Sequence, residues 1–183
     1  MARREPIRLL PPTTGQADGF ELGALLVYPS RGLFTLQAIR PVEVDGDTVV
    51  SLILAGDDGR TSLAVPVVKA ERGAVRPLAS RAIFQEALGI LAERRRQSRA
   101  IWSRRALDYE AKIKTGDPIL LAGVLRDLHR TGEQSHSERQ IFDLALARFA
   151  AEYAAVMGIE RDIAQAQILE NLEHRAAATV AGL

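Results

Sequence analysis

The sequence predicts an α+β chain of two domains, a small antiparallel β-barrel followed by a compact five-helix domain, and three observations carry that prediction. Between Phe20 and about Arg76, short β-branched and aliphatic runs are punctuated by turn residues. After "VRPLAS", which ends at Ser80, the apolar period changes from two to 3.6. Across 183 residues, 47% are hydrophobic and 26% charged, enough for packed cores and too apolar for a chain disordered throughout.

The elements follow in order. Residues 1–19 contain Pro6, Pro11, Pro12, Gly15 and Gly19 without a periodic pattern, and we expect a mobile tail. Residues 20–76 carry the runs "GALLVYP", "LFTLQAIRPVEV", "TVVSLILA" and "RTSLAVP". Asp45-Gly46 and Asp58-Gly59 fall between such runs, and these pairs tolerate the positive φ of hairpin turns. Four or five antiparallel strands in so short a span suggest a barrel of the SH3 or Tudor kind. Pro66 lacks a ladder donor, so it is expected to end its strand or lie on an edge. An edge strand of this kind is open to a partner.

Residues 77–183 read as helices. Ile83, Phe84, Ala87, Leu88 and Leu91 form one apolar face of a helix over about 80–95. In "SRRALDYEAKIKTGDP", Ser103 is a natural N-cap and Gly116 a C-terminal stop. Asp117 with Pro118 opens the next helix, whose stripe is Leu121, Val124, Leu125 and Leu128. "SHSE", Ser135 to Glu138, is a capping box ahead of Ile141, Ala145, Phe149 and Tyr153, and Gly158 separates a last helix with Ile163, Leu169 and Leu172.

Several chemistries lack support. The absence of cysteine removes disulfides and thiolate metal sites and suits a reducing cytoplasm. No apolar run has the length of a membrane span, and the start lacks the apolar stretch of a signal peptide, so a cytoplasmic location is expected. His129, His136 and His174 are not at metal-ligand spacings, and no HExxH, GxSxG, Walker loop or GxGxxG is present. We therefore expect no metal, no cofactor and no enzyme; Tyr28, Arg31 and the acidic turns are the weak material for one.

Charge is uneven. Residues 93–114 hold eight basic against three acidic residues, whereas 20–75 and 115–183 are each net acidic. That segment contains "ERRRQSRAIWSRR", with the only tryptophan of the chain, Trp102. Three readings of Trp102 stay open. It belongs to a buried stripe with Ala106, Tyr109 and Ile113; or, with Ser103 as N-cap, it staples onto Leu107; or it points outward as an apolar wedge. With Ser103 as N-cap, Arg104 and Arg105 sit at the first two helical positions, against the macrodipole, and a phosphate there would relieve both.

Six stretches then resemble the bacterial CarD/CdnL transcription regulators over about residues 20–172: "VYPSRG", "VPVVKAERGAVRPLAS", "WSRR", "KIKTGDP", "VLRDLHR" and "SHSERQ". The resemblance implies a Tudor-like domain that binds the RNA polymerase β subunit and a helical domain that contacts promoter DNA without sequence specificity. It implies that Trp102 wedges into the minor groove at the upstream edge of the transcription bubble and stabilises the open complex. Arg99, Arg104 and Arg105, joined by Arg96 and Lys112, would neutralise phosphates. The polymerase contact would fall around Arg40, Val42, Ala64, Val65 and Pro66, with Val42 and Ala64 standing where some members have arginines. Arg31 replaces a common histidine, and Leu107 a frequent lysine. A monomer, associated with the nucleoid through the polymerase, is the expected state. The rival reading is a protein-only adaptor without DNA contact, in which Trp102 is a core residue.

Overall fold

The computed structural model describes residues 19–44, 46–57, 59–94, 100–129 and 134–181. The expected mobile tail, apart from Gly19, and the side chains of Arg96 and Arg99 lie outside these residues. The chain divides into two compact units. One holds the sheet through Pro77; the other holds the helices from Leu78 together with the turn Pro29–Gly32.

The sheet has five strands: β1 (Leu25–Tyr28), β2 (Gly32–Val44), β3 (Asp47–Gly56), β4 (Ser62–Pro66) and β5 (Arg76–Pro77). Their order is β4-β3-β2-β1-β5, with antiparallel β1–β5, β2–β3 and β3–β4 pairings. The antiparallel five-stranded sheet agrees with the expectation, and among the described residues β4 and β5 stand at its two ends without a pairing that would close a barrel. The physical reason lies between them. At Pro66 the backbone leaves the ladder for the short helix α1 (Val67–Lys69) and a π turn, Ala70–Ala74, in which Gly73 adopts φ +91°. The two-residue β5 then pairs with β1 instead. Pro66 both ends its strand and lies on an edge, as its missing N–H requires. Leu26, Phe34, Leu36, Ile39, Leu52, Leu54 and Val65 form the apolar face of the sheet, closed by Ala70 and Val75. A bulge between Leu36 and Ala38 shifts the register of β2 against β3 and keeps both Leu36 and Ile39 in that core despite their odd spacing.

Five helices follow, so the described residues hold six α-helices rather than five, the additional one being α1. They are α2 (Arg81–Ala92), α3 (Trp102–Thr115), α4 (Pro118–Leu128), α5 (His136–Met157) and α6 (Arg161–Ala181). Ser80 caps α2 by accepting from the Ile83 N–H, and Asp117 caps α4 by accepting from Ile119. Ser135 and Glu138 make the reciprocal capping box of α5. Each cap satisfies backbone donors that have no partner within their own helix. Gly116 and Gly158 close α3 and α5 in the left-handed conformation. At Gly116 a side chain would also meet Pro29 Cα at 2.9 Å, so "KIKTGDP" and "VYPSRG" touch at the residue that must be glycine.

The helical core is built on Phe84, Leu91, Leu121, Leu125, Leu128, Phe149, Ile168 and Leu172, all essentially without exposed surface. Phe84 meets Phe149 edge-on with ring centres 5.3 Å apart, and Tyr153 lies 5.5 Å from Phe84. A buried acid and a buried arginine serve the packing. Glu152 accepts the Ala79 N–H at 2.9 Å, just ahead of α2, where the helix dipole favours an anion. Arg126, only 4% exposed, pairs with Glu93 at 2.6 Å and Asp127 at 2.9 Å.

Candidate nucleic-acid interface

The start of α3 differs from the expectation in a way that decides between readings of Trp102. The N-cap is Ile101, and the Arg105 N–H donates to the Ile101 carbonyl at 3.2 Å. Ser103 is therefore not the cap but the second helical residue, and Arg104 and Arg105 move to the third and fourth positions. The hydrophobic staple onto Leu107 is overturned, because that pairing needs Ser103 as cap and Leu107 is 68% exposed. With Trp102 inside the helix, the stripe Trp102, Ala106, Tyr109 and Ile113 faces the helical core. Tyr109 and Ile113 are buried in it, while Trp102 and Ala106 are partly buried against it. The indole is thus seated on the core at one side and open to solvent at another.

The surroundings of Trp102 are apolar and cationic. Ile101, one residue upstream, is 73% exposed, and no acidic residue occupies the first turn of α3. Arg104 is exposed and has no ion-pair partner among the described residues. Arg105 is different. Its guanidinium lies over the indole, 5.2 Å from the ring centre, and 3.8 Å from a Glu138 carboxylate oxygen. Lys112 is paired with Asp108 at 2.7 Å and lies 5.8 Å from the Tyr109 ring centre. Of the five cations expected to meet phosphate, Arg104 is open, Arg105 and Lys112 already have carboxylates, and Arg96 and Arg99 lie outside the described residues. The basic run nevertheless starts from a defined point, since Glu93, its first residue, is held by Arg126 on α4.

Tyr109 adds an electrostatic consequence. Burial pushes its phenol above the ordinary value, and Asp127 adds to the rise, while Arg105 and Lys112 pull it down. A raised value in the fold favours the protonated phenol; its contribution to stability is complete below about pH 10 and is lost as pH rises through the folded value. We expect the stability of wild type relative to Tyr109→Phe to shrink above about pH 10, measured as paired melting curves across alkaline buffers. Parallel pH profiles for the two proteins would contradict this.

The residues expected at the polymerase contact are sorted by strand register. Arg40 and Pro66 flank Ser51 in one rung, and Ala64 flanks Ile53 in the next on the same face. Val42 shares that face by alternation along β2, whereas Val65 points into the sheet's apolar core. Val42 and Val65 are 1% and 5% exposed, so neither has a side chain to offer a partner. Arg40, Ala64 and Pro66 keep partial exposure, and among the described residues no strand pairs with the outer edge of β4.

Sequence reasoning missed three residues that organise the helical unit. Ile101 was overlooked because its exposure depends on where α3 begins. Glu138 was read only as a cap. Arg148 donates to the backbone carbonyls of Pro29, Ser30 and Ile113, and burial lowers its pKa from the ordinary value; nothing local in "LALARFA" distinguishes it. Tyr28, one of the residues weighed for an enzyme, packs edge-on to Phe34 against the sheet core. No group of three or more histidines and carboxylates among the described residues is placed to hold a metal. No described helix is long and apolar enough to cross a membrane.

Residues 86–169 match the family model described as CarD, C-terminal domain. The match begins within α2, ends within α6, and contains Trp102, Arg104, Arg105, Lys112 and Glu138. CarD-type proteins form a non-enzymatic transcription factor family that interacts with RNA polymerase. The matched span covers the helices around Trp102, and over these residues the chain is similar to the C-terminal domain of CarD.

Proposed function

We propose that this protein binds the RNA polymerase β subunit through residues 20–76 and stabilises the promoter open complex through residues 77–183, without reading sequence. The observation that supports the DNA contact most directly is the tip of α3. A partly exposed indole, an exposed isoleucine beside it and an exposed arginine with no ion-pair partner among the described residues lie at a helix N-terminus without acidic residues in its first turn. Backbone amides and guanidinium there attract phosphate, and an apolar side chain beside them suits a minor-groove wedge that unstacks a base step.

On the β unit, the contact would use Arg40, Ala64, Pro66 and the outer backbone edge of β4, the mode in which a partner's strand extends a sheet. Val65 would shape that edge from within, while Val42, buried on β2, would add no side-chain contact. The protein would then sit with the polymerase on the nucleoid, as a monomer.

Salt dependence tests the phosphate contacts. If all five expected cations engaged phosphate, the slope of log affinity against log salt on duplex DNA would approach about −4.5. Because Arg105 and Lys112 already hold carboxylates, we expect a slope nearer −3, from Arg96, Arg99 and Arg104. A slope near zero would remove the DNA role. A second reading is supported by the packing of Trp102 against the helical core: a protein-only adaptor whose tryptophan is structural. It predicts co-purification with the polymerase that persists in Trp102→Ala, and no effect of that substitution on open-complex lifetime.

A further inference from the structure

Two stretches far apart in the sequence, "WSRR" and "SHSE", meet at one residue. Arg105 stands one turn into α3, where its charge opposes the helix dipole. Its side chain is nevertheless only 17% exposed, and its Nε is buried without a hydrogen-bond partner. Besides a side-chain hydrogen bond with Tyr109, two contacts account for its place. The guanidinium carbon lies 5.2 Å from the centre of the Trp102 ring, and Nη2 lies 3.8 Å from Glu138 Oε1. The second distance is too long for a hydrogen bond, so that attraction is between charges, and with Glu138 only 10% exposed it is weakly screened.

Glu138 divides its two oxygens. Oε2 accepts the Ser135 N–H at 3.2 Å and the Ser135 hydroxyl at 3.1 Å, completing the cap of α5. Oε1 faces Arg105. The cap therefore fixes the carboxylate, the carboxylate fixes the guanidinium, and the planar guanidinium covers the indole. A lysine could balance the charge but would not present a flat face to the ring.

We propose that Glu138 and Arg105 are positioning residues for Trp102, holding the indole in one orientation at the tip of α3. Capping of α5 alone would not place a cation on the ring, and a phosphate role for Arg105 alone would not bury its Nε. The inference rests on the wedge reading for its consequence in transcription, but not for the geometry itself.

Trp102 is the only tryptophan, so its fluorescence reports this one ring in the full-length protein. The experiment measures acrylamide quenching and anisotropy decay for wild type, Glu138→Gln, Arg105→Lys, Arg105→Ala and the double variant Glu138→Gln/Arg105→Ala. Acrylamide is neutral, so changes of local charge do not bias it. Glutamine can still accept from Ser135, which preserves the cap and the fold. We expect the quenching constant to rise about twofold in Glu138→Gln and Arg105→Ala, in keeping with loss of a cation–π contact. Arg105→Lys should recover only part of the protection. The double variant should be no more quenched than Arg105→Ala, because both changes break one chain of contacts. Unchanged quenching in both single variants, or fully additive effects in the double, would overturn the proposal.

Open-complex lifetime with RNA polymerase, measured on the same proteins, separates the two readings. If Trp102→Ala shortens it, Glu138→Gln should shorten it too, and a full wild-type lifetime in Glu138→Gln would count against positioning. If Trp102→Ala leaves the lifetime unchanged, the wedge reading fails, while the quenching result still decides whether Glu138 and Arg105 hold the ring.

Discussion

Trp102→Ala is expected to shorten the lifetime of the promoter open complex roughly tenfold or more, since base–aromatic stacking contributes about 1–3 kcal/mol for each base engaged. The same substitution should also lower the stability of the protein, but by less than the roughly 3–5 kcal/mol lost when a fully buried tryptophan is truncated. Trp102 packs on the helical core with only part of its surface, so a loss of about 1–2 kcal/mol is expected. A pure wedge would show no loss of stability, and a pure core residue the full loss. Measuring unfolding and open-complex decay on one preparation checks both figures. A full loss of stability with an unchanged lifetime would favour the protein-only adaptor.

Phe149→Ala should reverse that pattern. Phe149 has no exposed surface and sits between Phe84, with ring centres 5.3 Å apart, and Tyr153, at 6.2 Å. Removing the ring leaves a cavity that neighbouring helices cannot fill, and the expected destabilisation is roughly 3–5 kcal/mol. The folded fraction should still bind DNA with the wild-type salt slope, because Phe149 lies in the core, away from the exposed tip of α3. Chemical unfolding, followed by binding measured under conditions where the variant is folded, tests this. A changed slope would mean that the α3 tip depends on core packing more than its own contacts indicate.

The fold was largely legible in the chain because much of its information is local. Ser80, Asp117 and Ser135 each cap a helix with their own side chain, and a capping bond spans only two or three residues. The apolar stripes of α2, α4 and α5 likewise follow from a fixed angular period. What misled was also local. Ser103 has the right chemistry for a cap, yet α3 begins two residues earlier than that cap would place it, with Ile101 as its cap and no capping side chain. Once Trp102 joins the helix, the indole and Tyr109 and Ile113 bury together, and that apolar contact outweighs the contribution of about 1 kcal/mol that a serine cap makes.

Closure of the sheet was not legible, since it depends on where a two-residue strand lands after a helical and a π turn. The pairing of β5 with β1 joins residues about fifty positions apart. The same holds for the candidate site. The sequence marks Trp102, Arg104 and Arg105 as unusual, through charge against a helix dipole, but the partners that make Arg105 tolerable are supplied by the indole on its own helix and by Glu138 on α5.

By itself, then, the order of residues determined the two-part α+β composition, the caps that open α2, α4 and α5, the concentration of positive charge around the single tryptophan, and the resemblance to one family. Only the tertiary structure decided that β5 pairs with β1, that the side chains of Val42 and Val65 are both buried, and that Trp102 is half seated on the core beneath Arg105. Periodicity and capping are set by neighbours a few bonds away, whereas burial and charge pairing are set by which distant surfaces come into contact.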